Sequence, residues 1–407
     1  MALKTGRQFL HTPGPTAIPE RVLNAMHRQP CELNDPELVQ LTNSCFDDLK
    51  SIFRTTGDMF VYITNGHGGW EAVLSNLFDA GDYALVPETG YFSSSWAEMA
   101  RALGVHVVDL PADKRHAIDP QAIEKALRAD TQGKIKAVLT IHTDTATGIT
   151  SDIPAIRQAI DAAGHPALLV VDVVASLGAT EFRMDEWGVD VAFSASQKAL
   201  MGPPGLAFVT TNERARKIAS RTQRHRYYWD WDNRDGPEGY RRFCGTAPEH
   251  NLFALRAALD LVLEEGLENI IRRHARLAGA VHAAVESWQS AGDLELNARR
   301  PAERSNSVTT IITPPDFKAG LIRDHGRDHR AIALGGGLGT LSGRAFRIGH
   351  LGDLNEPMIL GCLGAVELVL CDLGIRHGSG GVRAAIEYLA RTPVTQPDHA
   401  PKMAVSV

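Results

Sequence analysis

No run of about 18 apolar residues, the length a bilayer demands, occurs anywhere in the 407 residues, so no membrane-spanning helix is expected. Blocks of lysine or arginine are also absent and the formal net charge is -6. The concentrated basic face that nucleic-acid backbones require is therefore missing. Cysteine is sparse: Cys31, Cys45, Cys244, Cys362 and Cys371 make an odd total of five with no Cys-x-x-Cys pair. That excludes a disulfide framework and a zinc ribbon, and it fits a reducing cytosol. The opening residues "MALKTGRQFLHTPGP" lack the continuous apolar core of a secretion signal, and the closing "AVSV" is not the peroxisomal address. A cytoplasmic protein acting on small molecules, with no membrane or nucleic-acid partner, is the expectation.

What remains is the make-up of a globular chain, 44% hydrophobic and 22% charged, long enough for one large or two medium domains. Seven apolar runs of strand length are rich in β-branched residues: "MFVYIT" (59–64), "YALVP" (83–87), "VHVVDL" (105–110), "IKAVLTI" (135–141), "ALLVVDVV" (167–174), "VAFSA" (191–195) and "LAFVTT" (206–211). Segments with helical spacing, such as "GWEAVLSNLFDA" and "DIPAIRQAIDAAG", lie between most of them. The alternation predicts an α/β fold whose mostly parallel, seven-stranded sheet is covered by helices on both faces.

Beyond residue 212 the character changes. A polar, aromatic-rich stretch, "RHRYYWDWDNRDGPEGYRRF", leads into one long helical segment from about 248 to 290. From about 306 the pattern is α+β, with "SVTTIIT", "AIALGGGLG" and "AFRIGHLG" as strand or loop candidates and "EPMILGCLGAVELVLCDLG" as an amphipathic helix. This predicts a large domain over residues 1–275 with an N-terminal arm over 1–20, a small α+β domain over 276–392, and a tail over 393–407. The tail is Pro-rich and low in apolar content, so poor order is expected there.

Asp172 ends an apolar run and is expected at the carboxyl edge of the sheet, where α/β folds place their ligands. A carboxylate there is costly unless a cation meets it, although a helix cap or a loop salt bridge explains it equally well in isolation. Lys198, in "FSASQKALMGPPG" (193–205), follows the next run and so points into the same crevice. Together they offer an anion for a protonated ring nitrogen and an amine for an imine with an aldehyde, which is what pyridoxal phosphate requires. Its phosphate needs a cradle. "TNGHGGWEAVLSNLF" (64–78) supplies a glycine turn opening a helix, with free amides and a favourable dipole; a plain tight βα turn is the alternative. An NAD site is not indicated, because the turn is not GxGxxG and "LGGGLG" (334–339) does not open a helix at dinucleotide spacing.

Tyr91, Phe92 and Trp96 in "GYFSSSW" are candidates to stack on a flat ring. "HTDTATG" (142–148) sets a dense polar cluster at another strand end; His142 and Asp144 within it lack a third ligand at metal-binding spacing, so no metal is expected. Arg347 in "AFRIGHLG" has apolar neighbours on both sides. It suits bidentate capture of a substrate carboxylate, with a buried structural salt bridge as the alternative.

With "GPT", "GYFS", "HTDTATG", "VVDVVASLGA", "RMDEWGVDVAFSASQKAL", "GLENIIRRHARL", "GGGLG" and "FRIGHLGDLNE" all present, the chain resembles the serine–glyoxylate and alanine–glyoxylate aminotransferases, class V of fold type I, over nearly its full length. The resemblance implies transamination of a small L-amino acid, serine or alanine, with glyoxylate as acceptor. Aspartate as donor, or pyruvate as acceptor, is the alternative within the family. It also implies a homodimer, or a tetramer built from dimers, with the active site at the subunit interface.

Carried over by position, the resemblance makes Lys198 the lysine that carries the cofactor and Asp172 the partner of its ring nitrogen. Val174 and Phe92 would lie on the two ring faces, and Thr145 near the ring hydroxyl. Asn65, Gly66, His67 and Gln197 would hold the phosphate, joined across the interface by Thr246 and the neighbouring Phe243. Arg347 and Gly14 would meet the substrate. Departures are Asn65-Gly66-His67 where plant-type relatives have Thr-Gly-Thr, Phe243 in place of a tyrosine, and "NDPE" (34–37) in place of Arg-Ser-Pro. A cysteine desulfurase would need a nucleophilic cysteine on a mobile loop, which Cys362 and Cys244 do not offer. A non-catalytic effector-binding protein is opposed by retention of the lysine, the carboxylate and the arginine.

Overall fold

The structure, a computed structural model, describes residues 6–236 and 239–392; the tail expected over 393–407 lies outside the described residues. In chain order the strands are β1 (Phe9–His11), β2 (Asp58–Ile63), β3 (Tyr83–Pro87), β4 (His106–Leu110), β5 (Ile135–Ile141), β6 (Thr143–Asp144), β7 (Ile149–Thr150), β8 (Leu168–Asp172), β9 (Val191–Ala195), β10 (Leu206–Thr211), β11 (Glu295–Leu296), β12 (Val308–Ile312), β13 (Ile332–Gly336) and β14 (Ala345–Gly349). The seven apolar runs all become strands of one seven-stranded sheet, ordered β2-β10-β9-β8-β5-β3-β4. Strand β10 runs against both of its neighbours and the other ladders are parallel.

Strands β8, β9 and β10 are buried at every position, which is why their sequences are continuous apolar runs and not alternating ones. The pleat still divides them by parity. Leu169 and Val171 pack with Leu49, Ile52 and Leu259 on one face, while Val170 packs with Trp70, Trp96 and Phe193 on the other. The crossover helices start where the sequence places side-chain caps. Asp119 and Asp152 accept from amides of the helices Pro120–Ala129 and Ile153–Ala162, each with proline in its first turn.

The second sheet has five strands in the order β1-β13-β14-β12-β11, with its own core around Trp288, Phe346, Ile348 and Val366. Here the structure corrects two expectations. The single long helix over about 248–290 is two, Glu249–Glu265 and Leu267–Gln289, because Gly266 adopts φ +85° between them, a conformation that side chains resist. The boundary expected near 275 lies within the second of these helices. The N-terminal arm is not an appendage of the large sheet, since β1 pairs in parallel with β13. Three residues are too few to show a strand pattern in the sequence.

Candidate active site

The carboxyl ends of β2, β3, β5, β8 and β9 open on one edge of the large sheet, and residues just beyond them line a pocket of about 230 Å3. Asn65, Gly66 and His67 follow β2, Phe92 follows β3, Thr145 follows β5, Val174 follows β8, and Gln197 and Lys198 follow β9; Asp172 closes β8 itself. Parallel strands separated in sequence thus deliver polar groups to one crevice.

Asp172 is 5% exposed. One carboxylate oxygen accepts a 2.7 Å bond from the Trp70 indole and the other a 2.7 Å bond from the Val174 amide. Burial nevertheless dominates and raises its pKa from 3.8 to about 7, against the pull of those two donors, with the Asp144 charge adding to the rise and Lys198 opposing it. Lys198, half-buried across the same pocket, is lowered to about 8 by loss of water and by the nearby Arg347 charge, with Asp172 acting the other way. Its amine donates to the carbonyl of Pro13.

Asn65 caps the helix Gly66–Leu77, its side-chain oxygen accepting from the amides of His67 (3.0 Å) and Gly68 (3.3 Å). That oxygen is thus engaged by the helix itself. Gly66 lies close to the Val174 side chain: a Cβ there would meet one of its methyl groups at 3.3 Å. The exposed His67 ring leans on Trp70 at 4.3 Å between centroids. The Oε1 atom of Gln197 is buried with no partner among the described residues, an acceptor free to take a hydrogen bond from a donor.

Of the three stacking candidates only Phe92 lines the pocket. Tyr91 points outward and Trp96 is wholly buried, stacked on Trp70 at 5.9 Å. Asp144 accepts from Ala146 N (2.9 Å), Thr89 Oγ1 (3.1 Å) and Phe92 N (3.3 Å), so it orders the two loops that present Phe92 and Thr145. His142 turns instead to Phe182 and Trp187, and burial lowers its pKa to about 4.

Arg347 lies on β14, 8% exposed, and donates to the carbonyls of Gly336 (2.6 Å) and Thr145 (2.9 Å). Its two recorded partners are carbonyls, so the structural salt bridge weighed as an alternative is not what holds it. Burial lowers its pKa to about 10, which leaves it charged at neutral pH. Gly14, with φ +111°, lies directly against Lys198; a Cβ there would come within 2.4 Å of Nζ.

Phe243 and Thr246 do not reach this pocket. The Phe243 ring is in the core, edge-on to Phe46 at 6.4 Å, because an unsubstituted phenyl gains more from apolar contact than from a polar rim. Thr246 is exposed. The residues that sequence reasoning missed are Trp70, Pro13, Thr16 and the loop-ordering role of Asp144. Trp70 acts on a carboxylate 102 positions away, and no local spacing signals that.

A family model described as aminotransferase class-V matches residues 8–325. The chain is 42% identical to a serine–glyoxylate aminotransferase of Methylorubrum extorquens over 97% of this chain and 98% of that one. It is 38% identical to an L-aspartate–glyoxylate aminotransferase of Paracoccus denitrificans, over 96% and 99% of the two chains. The solved ureidoglycine–glyoxylate aminotransferase of Bacillus subtilis matches with a TM-score of 0.86 at 28% identity, covering 95% of this chain and 99% of its own. The architecture is that of fold type I. With the family model spanning most of its length, an amine and a carboxylate at the edge of its large sheet and a guanidinium on β14 of the second sheet, this chain belongs to the class-V aminotransferases, enzymes of amino and keto acids.

Proposed function

We propose that this enzyme transfers the amino group of serine or alanine to glyoxylate, giving glycine and hydroxypyruvate or pyruvate, with pyridoxal 5'-phosphate as cofactor. The observation that carries the reading is Asp172. It is a carboxylate buried at a pocket wall, raised to about 7, and held by two donors with no ion pair among the described residues. A protonated pyridine nitrogen supplies that missing cation. The close approach that glycine allows at Gly66, at the start of a helix, fits the same guest.

When bound, the cofactor supplies a conjugated ring that withdraws electrons from the substrate's Cα. Asp172 would keep the ring nitrogen protonated. Val174 and Phe92 would flank the ring, Thr145 would lie near its hydroxyl, and the helix start at Asn65, Gly66 and His67, with Gln197, would hold the phosphate. Arg347 would bind the substrate carboxylate, with Gly14 beside it, and so orient the Cα proton toward Lys198. The Lys198 amine would accept that proton at Nζ and release it again within the same pocket. A pKa of about 8 suits a group that must both accept and release a proton near neutral pH.

The working form is read as a homodimer in which Thr246, exposed in one chain, contacts the phosphate held by the other. Phe243 then supports that segment from the core. Aspartate is the rival donor, on the strength of the Paracoccus relative. The test is to follow the visible colour of the loaded enzyme as serine, alanine and aspartate bleach it, then add glyoxylate or pyruvate. Bleaching by serine or alanine with recovery on glyoxylate is expected. Bleaching by aspartate alone transfers the donor to the rival, and recovery on pyruvate but not glyoxylate removes the acceptor.

A further inference from the structure

Residues 12–16 form a short strap that runs from β1 to the loop carrying Lys198 and is held at both ends. On one side β1 delivers it onto β13, with His11 paired to Leu334. It then runs so close to the strands beside Arg347 that only glycine fits opposite. A Cβ on Gly335, the register partner of Arg347, would meet Pro13 at 2.7 Å, and one on Gly349 would meet the Thr12 carbonyl at 2.3 Å. On the other side Thr16 binds the lysine loop twice. Its amide donates to the Gln197 carbonyl (3.2 Å) and its hydroxyl to the Lys198 carbonyl (3.1 Å).

Between these anchors the strap forms the wall against which the lysine lies. Gly14 leaves no room for a side chain, since a Cβ would fall 2.4, 2.6 and 2.7 Å from Nζ, Cε and Cδ of Lys198. The Pro13 carbonyl accepts from Nζ. An amine that donates one N–H to a fixed carbonyl has its remaining positions aimed away from that carbonyl, into the pocket.

We propose that Pro13, Gly14 and Thr16 are positioning residues for Lys198. The Pro13 carbonyl docks the amine whenever it is free of the cofactor, Gly14 lets the strap lie flat along the side chain, and Thr16 fixes the main chain that carries it. Because the strap is seated on β13 and β14, it sets the amine and the Arg347 guanidinium in one frame. The inference rests on Lys198 being the reacting amine of the proposed function.

The decisive comparison is Thr16→Val, which removes the hydroxyl but keeps the shape and the amide, against Thr16→Ser, which restores the hydroxyl. In the full chain stripped of cofactor, reductive methylation of Lys198 is followed across pH by mass spectrometry. A carbonyl acceptor favours the ammonium form. A loosened amine therefore titrates at lower pH; from a starting value of about 8, a drop of about one unit, the equivalent of one hydrogen bond, raises its labelling rate at pH 7 about fivefold. In the loaded enzyme kcat falls by a similar factor while KM for the keto acid stays within about twofold, because Arg347 keeps both carbonyl partners. Thr16→Ser behaves as wild type on both measures.

Gly14→Ala provides an independent perturbation should Thr16→Val fail to fold, and the same change in labelling is expected of it. Labelling profiles that coincide with wild type, or a Thr16→Ser variant as impaired as Thr16→Val, overturn the proposal. Labelling needs neither cofactor nor substrate. Profiles that separate in a protein with no transaminase activity keep the strap and remove the proposed function; coincident profiles in an active enzyme remove the strap alone.

Discussion

Replacing Asp172 with asparagine should make the cofactor-free protein more stable at alkaline pH and its cofactor complex weaker. In the folded chain burial holds the carboxyl pKa at about 7, against 3.8 ordinarily. A raised acid binds its proton more tightly folded than unfolded, so its contribution to stability falls as pH rises between those two values. Each pH unit costs about 1.4 kcal/mol, giving a ceiling of about 4 kcal/mol above about pH 7. Asparagine carries no charge and avoids this cost, but it offers one oxygen where Trp70 and Val174 both donate. One donor is left unpaired, a loss of about 1–3 kcal/mol that does not depend on pH. The stability of Asp172→Asn relative to wild type should therefore improve by about 3 kcal/mol from about pH 5 to about pH 8. Urea unfolding of the two stripped proteins at both pH values reads this difference, and titrations common to both chains cancel. Added pyridoxal phosphate should reverse the order, because its ring nitrogen offsets the buried charge only in wild type, and the variant should bind it at least about 10-fold more weakly. A stability difference equal at the two pH values would refute the argument.

Lys198→Ala should abolish turnover while the fold persists, since the side chain is partly exposed and its recorded bond is to a carbonyl; transamination near the wild-type rate would end the mechanism. Arg347→Lys cannot keep both the Gly336 and Thr145 carbonyls while facing a carboxylate. KM for the keto acid should rise about 10–100-fold with a smaller change in kcat, and an unchanged KM in steady-state kinetics would remove the clamp. His274 and His350 are buried, hydrogen-bonded and lowered from 6.5 to about 3 and about 4. Their stabilising effect is present above about pH 6.5 and is lost as pH falls toward 4, at about 1.4 kcal/mol per unit for each. In the Asp172→Asn background, where the Asp172 slope is gone and only the raised Asp144 still opposes the pair, the urea midpoint should drop between pH 6.5 and 5; a flat profile would contradict the lowered values.

Strands β8, β9 and β10 are buried on both faces and so read as continuous apolar runs, while the edge strand β4 is exposed or half-buried and was marked only by its β-branched residues; with these runs came the strand ends that carry Asp172 and Lys198. Local chemistry reaches that far because strand burial and helix caps are properties of neighbouring residues. Arg347, between apolar residues on β14, was legible for the same reason. Three-residue β1 and the turn of Gly266 were not, since neither holds enough residues to show a period. What the tertiary structure alone decided is the set of contacts between distant segments: the Trp70 indole on Asp172, the strap of Pro13, Gly14 and Thr16 along Lys198, and the turning of Phe243 into the core. These depend on which elements pack side by side, a matter of summed burial over the whole chain, and no spacing within a single segment records it.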